Sequence, residues 1–156
     1  MSADLPTRAG LFEHWVSVVR ARRQDSTMTR RIPVPNVLPI PYVERALIPP
    51  AKLRDYVLAK DHPDGGPKAR WFEQHLAIRQ QDWEYLRHEI LKNIQTCRVR
   101  AIAGKRWIEG DRHCFGLELE VHVPILGRNG QSAEILTGWM LDGLLIPRFT
   151  TARPLD

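Results

Sequence analysis

The segment from Asp61 to Arg70 combines an imidazole and two cations with residues that shape the backbone, in the order Asp-His-Pro-Asp-Gly-Gly-Pro-Lys-Ala-Arg. His62 lies in a turn rich in Pro and Gly, and Lys68 and Arg70 lie in the first turn of the helix that Pro67 starts. Cations oppose the helix dipole at this end, whereas free N–H groups and two cations together suit an anion such as phosphate. The segment therefore indicates a phosphate site, and the alternative is an ordinary turn, since His, Asp and Gly are common in turns.

A second group of polar residues occupies alternate positions in the predicted strands. Residues 115–123 alternate between apolar and polar side chains, which predicts a half-buried strand. Two-residue hairpin loops at Asn129-Gly130 and Asp142-Gly143 would set the register of the strands that follow. The apolar face, which includes Leu136, would be covered by helices. The open face would then carry Glu118, Glu120, His122, Thr137, Trp139, Arg148 and Thr150.

Together the two groups contain what metal-independent cleavage of RNA requires. A base must take the 2′-hydroxyl proton, an acid must protonate the leaving 5′-oxygen, and a cation must stabilise the phosphate. His62 or His122 could be the base or the acid. Lys68 could stabilise the phosphate and Thr137 could orient it. The residues predicted to bind substrate are Arg70, Trp139, which could stack on a base, Arg148 and Thr150. The alternative is a polar sheet face that only contacts water.

These side chains need a scaffold, and the hydrophobic periodicity predicts one of the α+β class. Apolar residues recur at three- and four-residue spacing after Pro50, after Pro67 and after Asp82, which predicts three helices. After Thr96 the period falls to two, which predicts about four strands. We therefore expect about three N-terminal helices packed on one face of a four-stranded antiparallel meander sheet.

The composition divides the chain into two parts. Residues 1–47 are predicted to be a basic, Pro-rich extension with a short amphipathic helix over 11–23, and residues 48–156 the α+β domain. Residues 1–45 hold seven Arg against four acidic residues, and half of the 12 prolines lie between 32 and 50. Such a proline density disfavours both helix and central strand.

The whole chain has the composition of a folded protein with a net positive charge. It has 156 residues, 43% of them hydrophobic, and a formal net charge of +5. Arg dominates the basic residues and suits forked contacts with phosphate, so we expect RNA as the partner, and the alternative is that the charge only makes the surface soluble. No apolar run reaches the roughly 18 residues that would span a bilayer, and we expect a soluble, cytoplasmic protein. Two cysteines, Cys97 and Cys114, are too few for a disulfide framework or a zinc site, so we expect two buried thiols. The sequence contains no motif that predicts a metal site or a cofactor.

Two stretches resemble a family of small bacterial toxin-type domains, which occur alone or as the C-terminal module of polymorphic toxins. The first stretch has His-Pro-x-Gly-Gly-x-Lys-Ala at residues 62–69. The second has Thr-x-Trp at 137–139 and Pro-Arg-x-x-Thr at 147–151. The resemblance covers residues 48–154 in the same order.

The resemblance implies a fold and an activity similar to the barnase, colicin and RelE group of ribonucleases. It adds Thr151 to the catalytic residues, whereas the predicted register places Thr150 on the open face. It also implies a partner protein, an antitoxin or an immunity protein. The sequence therefore predicts a toxin-type ribonuclease. The alternative is a non-catalytic module that binds nucleic acid through its Arg-rich N-terminal residues or binds a protein through Trp15 and the proline-rich segment.

Overall fold

The computed structural model describes residues 32–33, 39–143 and 145–155. The predicted helix over 11–23 and most of the basic extension lie outside these residues. The short strand β1 (Ile32–Pro33) comes first, and a single 3₁₀ turn follows at Val43–Arg45.

Three helices follow in the described part of the chain. Helix α1 begins at Pro50–Lys52 and continues with π-helical geometry through Leu53–Val57. Helix α2 is Gly66–Leu76, and it ends where Ala77 adopts a left-handed conformation with φ of 51°. A 3₁₀ turn at Gln80–Asp82 precedes helix α3, Trp83–Asn93, and another at Ile94–Thr96 follows it. Pro at the start of α1 and of α2 suits the first helical turn, where a backbone N–H has no partner.

The C-terminal half forms an antiparallel sheet in which each strand pairs with the next along the chain. Its long strands are β2 (Val99–Glu109), β3 (Arg112–Leu126), β4 (Ser132–Leu141) and β5 (Arg148–Pro154), and β1 joins the edge beside β2. One face of the sheet packs on the helices, where Leu53, Phe72, Leu86, Leu119 and Phe149 are among the fully buried side chains. This is an α+β fold.

The expectation of three N-terminal helices is wrong. The helices lie between residues 50 and 93, in the middle of the chain, and the sheet is C-terminal to them. Residues before the helices already contact the sheet, since β1 pairs with β2 and Leu47 bridges to Arg148. Prolines in this segment remove backbone donors and disfavour helix, and its described residues Ile32–Pro33, Pro39 and Leu47 form β-bridges instead.

The predicted register of β4 is also wrong. The turn between β3 and β4 spans five residues from Gly127 to Gln131, whose backbones are joined by a 2.6 Å hydrogen bond, rather than two residues. Thr137 therefore pairs with Val121, whereas His122 pairs with Leu136. Because side chains alternate between faces, this shift of one residue exchanges the two faces of β4.

The connection from β4 to β5 differs from the prediction as well. It spans residues 142–147, so Met140 pairs with Arg148. Gly138 pairs with Thr151 while Trp139 pairs with Phe149, which leaves Thr150 as the extra residue of a β-bulge. The bulge places Thr151 opposite Gly138 on the face that the helices do not cover.

Candidate functional site

Lys68 joins three elements that are far apart in the sequence. Its Nζ donates hydrogen bonds to the hydroxyl of Tyr56 on α1, at 2.5 Å, and to Oγ1 of Thr151 on β5, at 3.0 Å. The ammonium also lies 4.4 Å from the centre of the Tyr56 ring, close enough for a cation–π contact. We call Tyr56, His62, Lys68 and Thr151 the Lys68 cluster.

His62 completes the cluster from the turn before α2. Its ring packs edge-on against Tyr56, with ring centres 4.8 Å apart. Its Nδ1 accepts hydrogen bonds from the backbone N–H of Asp64, at 3.1 Å, and of Gly65, at 3.0 Å. A nitrogen that accepts must hold a lone pair, so the neutral ring carries its proton on Nε2.

The two glycines of this turn allow it to pack closely on α1. A Cβ atom on Gly65 would lie 1.8 Å from the carbonyl oxygen of Tyr56, and one on Gly66 would lie 2.7 Å from that of Lys60. Neither position can accept a larger residue without moving backbone atoms. The Gly-Gly pair therefore brings His62 against Tyr56.

The surroundings of Tyr56 make its phenol more acidic. The hydrogen bond from Lys68 is the main cause that lowers the pKa of Tyr56, and Thr151 and the Lys68 charge lower it further. Partial burial and the nearby Asp64 carboxylate oppose this effect. The net result is a tyrosine pKa below its ordinary value, at a position that faces an imidazole and an ammonium group.

Thr137 and Trp139 lie in the core, so their predicted position on the open face is wrong. Both are fully buried. The Trp139 Nε1–H donates to Thr137 Oγ1 at 2.8 Å, and this hydroxyl donates to the carbonyl of Val121 at 2.8 Å. The Trp139 ring packs edge-on against Phe149. The Thr-x-Trp pair thus satisfies a buried indole N–H in the core.

The other three predicted substrate-binding residues lie outside the cluster. Arg148 forms an ion pair with the buried Asp142. Oγ1 of Thr150 is buried, and a Cβ atom on Gly138 would lie 2.8 Å from it. Arg70 is exposed on α2, two residues beyond Lys68.

His122 lies on the open face of the sheet, as expected, but its neighbours differ from those predicted. Its Nδ1 is 3.3 Å from a carboxylate oxygen of Glu134, and its Nε2 is 3.9 Å from one of Glu120. Across the sheet, His122 pairs with Leu136 on β4, and Leu136 pairs with Arg153 on β5. The cross-strand row of His122, Thr137 and Arg148 is therefore absent.

Sequence reasoning missed two residues of this region. Tyr56 has the spacing of a core residue on α1, and only its hydroxyl indicated a polar contact. Arg153 lies two residues beyond Thr151 and, with Thr151 and Glu120, lines a hollow of about 40 Å³ on the open face. Alternation along β5 could have placed Arg153 there, had the bulge at Thr150 been known.

The described residues show neither a membrane-crossing helix nor a grouping of three His, Cys, Asp or Glu side chains that could hold a metal ion. Cys97 and Cys114 are free thiols, half-buried rather than buried. Burial, followed by the Glu134 charge, raises the pKa of Cys97.

Comparison with family models matches residues 39–156 to a domain of unknown function, DUF6883. No curated protein and no solved structure matches the chain. The match spans more than half of the sequence and includes every member of the Lys68 cluster. It carries no link to toxins or ribonucleases, so the toxin-type resemblance stays a prediction.

Proposed function

Because the chain belongs to the DUF6883 family, whose function is unknown, we propose from its own geometry that the Lys68 cluster is the centre of a metal-independent endoribonuclease. The observation that carries the proposal is the direction of the hydrogen bonds at Lys68. Tyr56 and Thr151 both accept from the ammonium. The third Lys68 N–H and the His62 Nε2–H are therefore left to donate.

A set of converging donors beside an ammonium suits an anion with several oxygens, such as a phosphodiester. Lys68 and His62 would donate to the oxygens of the phosphate. This contact compensates the charge that develops when a fifth oxygen approaches phosphorus. A bound phosphate would also satisfy the donors that the cluster itself leaves unused.

The cluster also contains a pair of groups for acid–base chemistry. Tyr56, whose pKa is lowered, would act in its phenolate form and take the proton from the 2′-hydroxyl as that oxygen attacks phosphorus. The Lys68 ammonium would give a proton to the 5′-oxygen as the P–O5′ bond breaks, and the His62 Nε2–H would donate a hydrogen bond to the phosphate. The products are a 2′,3′-cyclic phosphate and a 5′-hydroxyl end, with no net gain or loss of protons. We assign no step to His122, because its ring lies between two carboxylates on another row of the sheet.

The proposal extends to the setting of the activity. The substrate would be cellular RNA in the cytoplasm. A nuclease that acts on its own cell's RNA must be restrained, so a protein partner of the antitoxin or immunity type is part of the proposal.

The test is cleavage of a labelled single-stranded RNA by the purified chain in EDTA. We expect a cyclic phosphate product and no cleavage of the same oligonucleotide with 2′-deoxyribose. His62→Asn keeps an oxygen that can accept the N–H groups of the turn but lacks the ring proton. It should slow cleavage by roughly 10²- to 10³-fold, the effect of losing one donor to the phosphate, and Lys68→Met should slow it by roughly 10²- to 10⁴-fold, the effect of losing the general acid.

The matched control is His88→Ala, which removes an exposed histidine of α3 outside the cluster. It should cleave at the unmodified rate. If the unmodified chain leaves RNA intact, or if His62→Asn cleaves as fast as His88→Ala, the enzyme proposal is wrong. RNA binding without cleavage would favour the non-catalytic alternative.

A further inference from the structure

A cleft of about 810 Å³ lies beside the Lys68 cluster, where β2 and β3 extend beyond β4. The pairing of β3 with β4 ends at Leu117 and Leu141, whereas β2 and β3 stay paired as far as Glu109 and Arg112. The hairpin end therefore projects past the sheet, opposite the segment from β4 to β5. The volume is in the range of small-ligand sites, about 300–1,000 Å³.

An aromatic side chain lines this cleft on the hairpin. Trp107 is half-buried, and a Cβ atom on Gly116 would lie 3.2 Å from its Cη2. The glycine therefore makes room for the indole ring. Phe115 lies on the neighbouring strand and also lines the cleft. A partly exposed indole is a platform on which a nucleic-acid base can stack.

The charges of the cleft favour an anionic occupant. Arg112 is paired with Glu109 at 2.9 Å, and Arg148 is paired with Asp142. Lys52 on α1 and Lys105 on β2 also line the cleft, are exposed, and form no ion pair with any residue that the structure describes. The wall of the cleft thus offers two cations that no described neighbour neutralises.

The cleft and the Lys68 cluster adjoin along two elements. Lys52 lies four residues, about one helical turn, before Tyr56 on α1. Thr150 lines the cleft, and the next residue, Thr151, accepts the hydrogen bond from Lys68. A chain with regularly spaced phosphates could therefore contact both places.

We propose that this cleft binds single-stranded RNA next to the cleaved phosphate, with a base stacked on Trp107 and backbone phosphates paired with Lys52 and Lys105. The inference rests on the proposed function, because it names the second contact of the same substrate. A protein segment of Asp and Glu residues would match the charges but offers no aromatic ring to stack on the indole.

The experiment measures binding of a 2′-O-methyl hexauridylate, which cannot be cleaved by attack of the 2′-hydroxyl, by fluorescence anisotropy. Trp107→Ala should weaken binding by roughly 5- to 150-fold, the loss of one stacked base. Replacing both Lys52 and Lys105 with Gln should reduce the slope of log affinity against log salt by about 1.4. These lysines are exposed, so the double variant should keep its fold if Trp107→Ala does not.

The charge control is Arg100→Gln, an exposed change on the same strand as Lys105 but outside the cleft. It should leave the affinity close to that of the unmodified chain. Equal binding by the unmodified chain, Trp107→Ala and the double lysine variant would overturn the cleft proposal, as would absence of binding. If these variants bind weakly while the unmodified chain binds but never cleaves RNA, the cleft proposal stands and the ribonuclease proposal fails.

Thiol reactivity provides a second readout without any substitution. Cys114 lines the cleft and Cys97 does not. Bound oligonucleotide should slow alkylation of Cys114 and leave the slower alkylation of Cys97 unchanged. Unprotected Cys114 at saturating oligonucleotide would place the RNA elsewhere on the surface.

Discussion

Lys68 connects α1, α2 and β5 through a single ammonium group, and each of its contacts changes the properties of its neighbour. The hydrogen bond to Tyr56 stabilises the phenolate form, which is why the pKa of this tyrosine falls. The bond to Thr151 orients a hydroxyl at the sheet edge. Two hydroxyls from separate elements therefore hold the Lys68 ammonium in one position, unlike a lysine whose ammonium contacts only water.

This arrangement predicts the titration of Tyr56. A cation favours the charged phenolate, so removing it with Lys68→Met should raise the pKa of Tyr56 toward its ordinary value of about 10. The measurement is phenolate absorbance against pH, with the difference from Tyr56→Phe isolating this residue from Tyr42 and Tyr85. An unchanged or lower midpoint in Lys68→Met would mean that Lys68 does not contact the phenol in solution.

Two sequence motifs whose polar side chains both suggest catalysis have different roles in the structure. His62 and Lys68 lie at the surface with donors to spare, whereas Thr137 and Trp139 use theirs on each other and on a backbone carbonyl. Polar side chains in a core must be paired, because an unpaired buried polar group costs about 1–3 kcal/mol. The hydroxyl of Thr137 therefore serves stability.

At the scale of elements, the bulge between β4 and β5 decides which threonine reaches Lys68. Gly138 lies opposite Thr151, and the side chain of Thr150 packs over it. Glycine leaves the space into which Thr150 Oγ1 fits. Without the bulge, Thr151 would lie on the opposite face of β5.

Gly138→Ala is therefore expected to destabilise the β4–β5 pairing. Its Cβ atom would lie 2.8 Å from the buried Thr150 Oγ1, and such overpacking costs about 1–3 kcal/mol. Urea unfolding measures the change. Gly143→Ala is the matched control, since no atom of the described part of the chain lies within 4 Å of the added methyl group.

A second substitution tests the cause of that loss. Removing the Thr150 hydroxyl in the double variant Gly138→Ala/Thr150→Ala should restore most of the lost stability, because the two sites interact directly. If the effects of the two changes simply add, the clash with Thr150 is not the reason.

At the scale of the molecule, the Lys68 cluster and the cleft both lie within residues 39–156, the range that matches the family. Helices on one side and the edge strand β5 on the other enclose the cluster. Deleting residues 1–31, which end just before β1, should therefore leave the folded domain and its RNA cleavage intact. Circular dichroism and the cleavage assay in EDTA measure these two properties. Loss of RNA affinity together with a flatter salt dependence would instead show that the Arg-rich arm carries the binding.

The α+β class could be predicted from sequence because hydrophobic periodicity reports local burial. The period-3.6 pattern after Pro67 and Asp82 and the period-2 pattern around Leu119 depend only on which side of an element faces the core. The polar turn that contains His62 and precedes Lys68 could also be predicted, because Pro and Gly are typical of turns. Its partners could not be read in this way, because Tyr56 lies on another helix and Thr151 is 83 residues beyond Lys68.

The faces of β4 and β5, in contrast, were decided by tertiary contacts. The C-terminus of α2 holds the β3–β4 turn, where Arg128 N donates to Leu76 O at 2.8 Å and the Asn129 side-chain amide donates to His75 O at 3.1 Å. These carbonyls lack partners within the helix, so binding them stabilises a five-residue turn over the two-residue turn that Asn-Gly favours locally. The resulting one-residue change in the β3–β4 register places Thr137 and Trp139 in the core, and the bulge at Thr150 brings Thr151 to Lys68. Local pattern thus determined which elements form, and long-range hydrogen bonds decided which side chains those elements present to a substrate.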